Sequence, residues 1–195
     1  MKPPIPHTTA YILAGGKSSR MGEDKGLKLF NGKALVQIVI EQLQQVVKKV
    51  VIVSNNNAYK QFGLEVIEDV VKDIGPAGGI YSALQHSTSD KNFIVSCDMP
   101  NISAQAIHFM LDNCYTDAVC IPQYKNKLEP LFGIYPKSCL KSWKTTMNKG
   151  IYKLTDLAAN YKLEKIVVDN NPLFSELFFQ NINTREDLKN ALKNL

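Results

Sequence analysis

The chain has 195 residues, of which 45% are hydrophobic and 21% are charged, and its formal net charge is +5. This size and balance predict a single α/β domain, residues 1–195, with a sizeable buried core. The moderate charge suits small anionic ligands and falls short of the basic stripe typical of a nucleic-acid binder. Apolar runs are shorter than a membrane span, and the N-terminus lacks the apolar segment of a signal peptide. We therefore expect a cytoplasmic protein without nucleic-acid or membrane partners.

Short β-branched runs alternate with amphipathic stretches along the chain. The runs predict strands at 10–13, 50–54, 64–68, 92–97, 118–121, 128–135 and 163–168, and the stretches predict helices at 35–46, 77–85, 103–113, 140–147, 153–159 and 185–192. This order predicts a mostly parallel sheet with helices on both faces. Ligands of such sheets bind outside the carboxyl ends of the strands.

A glycine-rich segment with three cationic side chains follows the first predicted strand. It runs Leu-Ala-Gly-Gly-Lys-Ser-Ser-Arg-Met-Gly-Glu-Asp-Lys from residue 13 to residue 25. Glycine lets successive backbone amides point into one anion site, and Lys17, Arg20 and Lys25 add the positive charge that a polyphosphate requires. The spacing fits neither the P-loop nor the dinucleotide fingerprint. The segment therefore predicts a nucleotide-phosphate site of another type.

Asp98 follows the apolar run at 93–96 and precedes Met99-Pro100. A carboxylate at the end of a buried parallel strand suits a divalent cation, because Mg²⁺ prefers hard oxygen ligands. The alternative is that Asp98 caps the helix that begins near Ser103. Five residues is a long reach for a cap, so the pattern favours the metal.

Three further segments follow predicted strands or precede a predicted helix. They are Asn55 in a run of asparagines, the pair Glu68-Asp69, and the loop Gly75-Pro76-Ala77-Gly78-Gly79. Each is compatible with a ligand contact, because an amide can read a base edge and a helix N-terminus attracts anions. Each is equally compatible with an ordinary turn or cap.

The four cysteines, Cys97, Cys114, Cys120 and Cys139, lie in or beside apolar segments, and no two have the C-x-x-C spacing. Zinc or a disulfide framework is therefore not expected, and buried reduced thiols are.

Taken together, these motifs resemble those of the molybdenum cofactor guanylyltransferases, which are nucleotidyltransferases with a three-layer, Rossmann-like α/β fold. Residues 13–25 match the family's L-A-G-G-x-S-x-R-M-G-x-D-K, and the later segments match its post-strand asparagine, E-D, G-P-x-x-G and C-D-x-P. Residues 181–188 resemble N-x-N-T-P-E-[DE]-L, with Arg185 in place of the proline. The resemblance covers roughly residues 8–192.

The resemblance implies transfer of GMP from GTP to the phosphate of molybdenum–molybdopterin, with release of pyrophosphate. It implies catalytic roles for Arg20, Lys25 and Asp98, with Mg²⁺ held by Asp98. Asn181 and Asn183 would lie on the acceptor side. Molybdopterin-handling proteins and acceptor molybdoenzymes would be the protein partners. The residues implied to contact GTP are Leu13, Ala14, Gly15, Gly16, Lys25, Asn55 and Asp69.

Two other functions compete with this one. A cytidylyltransferase could act on molybdopterin or on a sugar or polyol phosphate, but such relatives tend to carry Ala where this chain has Gly15. The missing methyl group would leave room for guanine. A non-catalytic nucleotide-binding module on the same fold is the other alternative, and Asp98 with Lys25 argues against it.

Glu129 stands where the family often has an amide or imidazole, so acceptor contacts are expected to differ there.

Overall fold

The computed structural model describes residues 7–15, 24–182 and 187. The described strands are β1 (Thr8–Leu13), β2 (Leu29–Phe30), β3 (Lys33–Ala34), β4 (Lys49–Val53), β5 (Glu65–Ile67), β6 (Lys91–Ser96), β7 (Val119–Tyr124), β8 (Lys127–Leu128), β9 (Phe132–Pro136) and β10 (Leu163–Val167). The described helices are α1 (Leu35–Gln44), α2 (Pro76–His86), α3 (Ala104–Asp112), α4 (Leu140–Met147) and α5 (Leu154–Ala159). Short 3-10 helices occupy Lys25–Leu27, Asn57–Phe62 and Lys137–Cys139.

The main sheet has the strand order β10-β7-β9-β6-β1-β4-β5, and β8 pairs with β7 beside this path. β1 lies between β4 and β6 and is parallel to both. β9 runs antiparallel to β6 and to β7, whereas β10 is parallel to β7. The prediction of a mostly parallel sheet is confirmed.

Helices cover both faces of this sheet, so that the chain forms three layers. Side chains of β1 alternate between the two faces of the sheet. Ala10 and Ile12 pack in the core with α1 and α3. Tyr11 and Leu13 pack in the core with α2, α4 and α5. All six residues of β1 are buried, as expected for a central strand that is covered on both faces.

Two features of the sheet differ from the sequence prediction. The predicted strand at 128–135 is two strands, β8 and β9, because Pro130 has no N–H to continue a ladder. The hairpin of β2 and β3 was missed. Its turn is Asn31-Gly32, and both residues have positive φ (50° and 79°), as a type I′ hairpin turn requires. The predicted helix at 185–192 lies outside the described residues, apart from Asp187.

The expectation of four reduced cysteines is wrong. Cys114, just after α3, is joined to Cys120 in β7 by a disulfide, with the two Cα atoms 6.0 Å apart. The turn between α3 and β7 reverses the chain and brings the two side chains together, which spacing alone did not indicate. Cys97 and Cys139 are free and buried, as expected.

In the described part of the chain, no helix is both long enough and apolar enough to cross a membrane.

Candidate active site

A cleft of about 790 Å³ opens at the carboxyl ends of β1, β4 and β6. It collects six of the site residues that the sequence predicted, although these come from four separate segments of the chain. The predicted residues that line it are Leu13, Ala14, Gly15, Asn55, Asp69 and Asp98. Predicted residues Gly16, Arg20 and Asn183 lie outside the described residues.

Asp98 is largely buried at the end of β6, with its carboxylate on the cleft. Its Oδ1 accepts a hydrogen bond of 2.5 Å from the Ser96 hydroxyl, and its Oδ2 lies 3.9 Å from Nζ of Lys25. The alternative role as a helix cap is excluded, because Ser103 caps α3 by accepting a hydrogen bond from the Ala106 amide. The Asp98 carboxylate therefore remains available to the cleft.

Lys25 begins a 3-10 turn, and its side chain lies beside Asp98. Asp24 is the N-cap of this turn and accepts a 3.2 Å hydrogen bond from the Gly26 amide. The same carboxylate also accepts hydrogen bonds from Tyr59 and from the Asn56 side chain. A cation and a carboxylate thus face each other where the first and sixth strands end.

The side of the cleft between β4 and β5 is held by amide and carboxylate contacts. Oδ1 of Asn55 accepts a 3.0 Å hydrogen bond from the Asp69 amide. Oδ1 of Asp69 accepts hydrogen bonds from the Val71 amide and the Ser82 hydroxyl, both at 3.0 Å. Nδ2 of Asn55 has no partner within the described ranges, so this donor can reach a ligand. Both side chains shape the loop and line the cleft.

α2 begins at the rim of this cleft. Gly75 precedes it with φ 67° and ψ −151°, a conformation that an L side chain rarely adopts, and Pro76 is its first residue. The free amides of a helix N-terminus favour an anion or a polar ring atom. Gly75, Pro76 and Gly79 of the predicted loop at 75–79 line the cleft.

The segment that precedes the end of the described chain passes close to Asp98. The Ile182 amide donates a 3.0 Å hydrogen bond to the Asp98 carbonyl. Oδ1 of the neighbouring Asn181 is buried and has no partner within the residues described. The structure therefore places Asn181, a predicted acceptor-side residue, beside the predicted metal ligand.

A second cleft of about 510 Å³ lies next to the 129–131 connection between β8 and β9. Glu129 lines this cleft, whereas Leu131 lines the larger one. Burial raises the pKa of the half-buried Glu129 carboxyl, and the charge of Lys127 partly opposes the shift. The remaining lining residues are Tyr124, Lys125, Lys127, Glu176, Leu177, Phe179 and Gln180.

Cys97 lies next to Asp98, but its thiol is not suited to nucleophilic chemistry. Burial raises the pKa of the thiol, and the negative charge of Asp98 raises it further. The thiol is therefore protonated near neutral pH, whereas a nucleophilic cysteine needs a thiolate.

Sequence reasoning missed several polar residues of the larger cleft. Asp24 lies inside the matched glycine-rich motif, and Ser54 and Asn56 flank the predicted Asn55. Their places in or beside these motifs could have indicated that they line the site. Lys72 and Asp73 lie in the loop before α2, where spacing indicated nothing. The missed lining residues include Asp24, Ser54, Asn56, Lys72, Asp73, Ser96 and Leu131.

The cleft offers a cation few protein ligands. Among the residues described, no group of three or more His, Cys, Asp or Glu side chains could hold a metal ion. The Asp98 carboxylate on the cleft nevertheless fits a cation that takes one or two carboxylates and completes its shell with phosphate oxygens and water, as Mg²⁺ does.

A mostly parallel sheet covered by helices on both faces, with a polar cleft at its strand ends, defines a doubly wound α/β protein that binds its ligand at those strand ends. Comparison with known proteins narrows this class, because residues 10–165 match the model of the MobA-like NTP transferase domain. The chain therefore belongs to the MobA-like NTP transferases, a family of nucleotidyltransferases.

Relatives match this chain over nearly its whole length. One from Flavobacterium johnsoniae is 33% identical over 188 residues, which are 96% of this chain and 97% of that protein. One from Natranaerobius thermophilus is 34% identical over 198 residues, 97% of each chain. Both bear the name "Probable molybdenum cofactor guanylyltransferase".

Solved structures show the same fold. A crystal structure of a protein from Aquifex aeolicus superposes with a TM-score of 0.77 and 29% identity, over 91% of this chain and 94% of that one. Molybdopterin-guanine dinucleotide biosynthesis protein A from Archaeoglobus fulgidus superposes with a TM-score of 0.79 and 24% identity, over 95% and 97%. The predicted Rossmann-like nucleotidyltransferase fold is confirmed.

Proposed function

We propose that this protein transfers GMP from GTP to the phosphate of molybdenum–molybdopterin, forming the guanine dinucleotide cofactor and releasing pyrophosphate. The observation that carries the proposal is the pairing of Lys25 with Asp98, 3.9 Å apart at the cleft. A module that only binds nucleotide has no need of a carboxylate opposite its phosphate-binding cation. The full-length relatives named as guanylyltransferases support the choice of reaction. The proposal assigns the whole reaction to one domain, residues 1–195.

The larger cleft would hold GTP. Leu13, Ala14, Gly15 and the following Gly16 would lie along the nucleotide, while Asn55 and Asp69 would face the base. The exposed Nδ2 donor of Asn55 and the N-terminal amides of α2 support this placement. Lys25 and Arg20 would brace the triphosphate.

The chemistry needs charge neutralisation more than proton transfer. An oxygen of the acceptor phosphate attacks the α-phosphorus of GTP, forming a new P–O bond as the bond to pyrophosphate breaks. A phosphate monoester has its second pKa near 6, so the attacking oxygen is already anionic at about neutral pH and requires no general base. Lys25 and Arg20 would offset the charge that builds on the departing pyrophosphate.

We propose Mg²⁺ as the cofactor and Asp98 as its protein ligand. When bound, the ion would supply positive charge to the phosphate oxygens of the substrate. Ser96 would orient the Asp98 carboxylate through its 2.5 Å hydrogen bond.

The acceptor would enter beside Asn181 and Asn183 and reach toward the second cleft. The position of Asn181 next to the Asp98 backbone supports this, and so does the closeness of the two clefts along residues 129–131. Proteins that deliver molybdopterin or receive the finished cofactor would be the partners of this face.

The test is pyrophosphate release from GTP, CTP, ATP and UTP with molybdopterin as acceptor, with and without Mg²⁺. We expect Mg²⁺-dependent release with GTP preferred. Asp98→Asn should lose about 100-fold or more in turnover while still binding GTP, because charge stabilisation of the transition state is lost. Asp156→Asn, a half-exposed carboxylate on α5, is the matched control and should keep full turnover.

A clear preference for CTP would instead support a cytidylyltransferase. Nucleotide binding without any Mg²⁺-dependent transfer would support the non-catalytic module.

A further inference from the structure

We propose that Tyr59 and Asn56 are positioning residues for Lys25, and that they act by holding the carboxylate of Asp24. The inference rests on the proposed function, in which Lys25 faces the reacting phosphates. Neither Tyr59 nor Asn56 needs to touch the substrate in this role.

Both oxygens of the Asp24 carboxylate are held by the segment that follows β4. Oδ1 accepts a hydrogen bond from the Tyr59 hydroxyl, 35 residues away in the chain. Oδ2 accepts a 3.0 Å hydrogen bond from Nδ2 of Asn56, 32 residues away. Oδ1 also caps the 3-10 turn at the Gly26 amide. Asp24 is thereby fixed on one side of Lys25.

The other side of Lys25 is fixed by close packing. A β-carbon on Gly26 would overlap the Tyr59 hydroxyl oxygen and would lie 3.1 Å from Sγ of Cys97. The turn therefore lies directly against the end of the Tyr59 ring, and only glycine fits there. Tyr59 is itself fully buried in the core with α1 and α3, so the ring cannot move aside freely.

The ionisation of these groups favours the same contact. Burial raises the pKa of the Tyr59 phenol, and the neighbouring Cys97 and Asp24 raise it further. The phenol therefore keeps its proton at neutral pH and donates a hydrogen bond to the carboxylate. A hydrogen bond with a charged acceptor is among the stronger ones that a side chain makes.

Fixing both Asp24 and Gly26 matters because Lys25 lies between them. Lysine has a long flexible stem, so its ammonium group is placed only as well as its backbone is. Here the backbone of Lys25 is held by Asp24 before it and Gly26 after it, and Nζ lies 3.9 Å from Asp98. A displacement of about 1 Å at a reacting centre can reduce turnover about 100-fold. The contact with Tyr59 thus supports catalysis from outside the cleft.

The experiment is a double-mutant cycle between Tyr59→Phe and Lys25→Ala. Tyr59→Phe keeps the ring and removes only the hydroxyl. We expect kcat to fall about 10-fold or more, as for loss of a hydrogen bond to a charged group. In the Lys25→Ala background, Tyr59→Phe should cause no further fall, because Tyr59 acts through Lys25. Asn56→Ala should behave in the same way.

Tyr11→Phe is the matched control. Tyr11 is equally buried, and its hydroxyl is hydrogen-bonded to Nδ1 of His86 at 3.0 Å, at the end of α2 that lies away from the cleft. This substitution should lower the free energy of unfolding and leave kcat unchanged. If Tyr59→Phe acted only by loosening the core, its fall in kcat would be no larger than that of Tyr11→Phe. A larger fall in Tyr59→Phe therefore reports the contact with Asp24.

The same four proteins are also compared in a second cycle, in which calorimetry measures their affinities for GTP and for inorganic pyrophosphate. If the wild-type protein transfers no nucleotide, the proposed function fails, and the binding cycle still decides the role of Tyr59. Equal losses from Tyr59→Phe with and without Lys25, in turnover or in pyrophosphate affinity, would overturn the inference. The inference would also be overturned by a Tyr59→Phe variant that matches the wild type in both turnover and pyrophosphate affinity.

Discussion

Gly15 lines the larger cleft. Among the residues described, a β-carbon added there would meet nothing closer than the Ser54 hydroxyl oxygen at 3.9 Å. Within the described part of the chain, a methyl group at this position would therefore cause no clash. Its absence leaves volume in the cleft that a bound base could occupy.

We predict that Gly15→Ala folds like the wild type but loses selectivity for GTP. The added methyl group takes space from the larger purine before it affects a pyrimidine, so kcat/KM for GTP should fall about 10-fold relative to that for CTP. Steady-state rates with both nucleotides measure the ratio, and urea unfolding checks the fold. An unchanged ratio would show that Gly15 does not set the base preference.

Glu129 carries a pH-dependent contribution to stability. Burial raises its pKa above the ordinary 4.5. The folded chain therefore favours the neutral carboxyl, whose stabilising contribution is complete below the unfolded pKa and is lost as pH rises through the folded pKa.

Glu129→Gln keeps the shape and removes the charge. We predict that it unfolds at a higher urea concentration than the wild type at pH 7, and that the difference disappears at about pH 4. Glu176→Gln is the control, because its exposed carboxylate has a pKa lowered by the hydrogen bond from Lys125 and should show no gain at pH 7. A gain of equal size at both pH values would mean that ionisation of Glu129 is not its cause.

α3 illustrates how one element leaves a functional side chain free. Its first amides are satisfied by side chains other than Asp98: Ser103 accepts from Ala106, and Gln42 on α1 accepts from Ala104 at 3.0 Å. A capped helix start stabilises the turn that follows β6. Asp98 can therefore face the cleft without weakening the helix.

We predict that Ser103→Ala lowers the free energy of unfolding by about 0.5–2 kcal/mol through loss of the cap. GMP transfer should remain at the wild-type rate, because the cap and the Asp98 carboxylate are separate. Thr145→Ala, which removes an exposed hydroxyl within α4, should have little effect on either quantity. Urea unfolding and the transfer assay measure the two. A parallel loss of turnover would mean that α3 helps to place Asp98.

The elements that the sequence predicted are those whose signal is local. The buried runs of β1, β4 and β6 and the amphipathic α1 were predictable, because hydrophobic spacing reports burial directly. The Asn31-Gly32 turn was also predictable, because an Asn-Gly pair favours a hairpin turn, although the hairpin was missed. The antiparallel direction of β9 was not, because an apolar run does not encode its orientation in a sheet.

The same distinction applies to the site. Asp98 and Asn55 were predictable because each follows a buried strand, and parallel strands bring such positions to one edge. The contact between Tyr59 and Asp24 was not, since it joins a 3-10 helix to a loop 35 residues away. The disulfide between Cys114 and Cys120 likewise depends on a chain reversal that no motif announces.

At the scale of the whole molecule, residues near the described C-terminal end connect β9 to the loop that carries Asp98. Phe174 and Phe178 are buried, and their rings lie 6.4 and 5.1 Å from that of Phe132 in β9. A few residues later, the Ile182 amide is hydrogen-bonded to the Asp98 carbonyl. The aromatic contacts therefore dock the stretch that carries Asn181 beside the proposed acceptor entrance.

We predict that Phe178→Ala lowers the free energy of unfolding by about 3–5 kcal/mol and raises KM for molybdopterin more than KM for GTP. The first effect follows from the cavity left beside Phe132, and the second from looser docking of Asn181. Leu157→Ala, which opens a cavity in the opposite layer on α5, is the matched control. It should lose about 2–5 kcal/mol of stability and leave the ratio of the two KM values unchanged. If Phe178→Ala also leaves that ratio unchanged, the C-terminal stretch does not form part of the acceptor site.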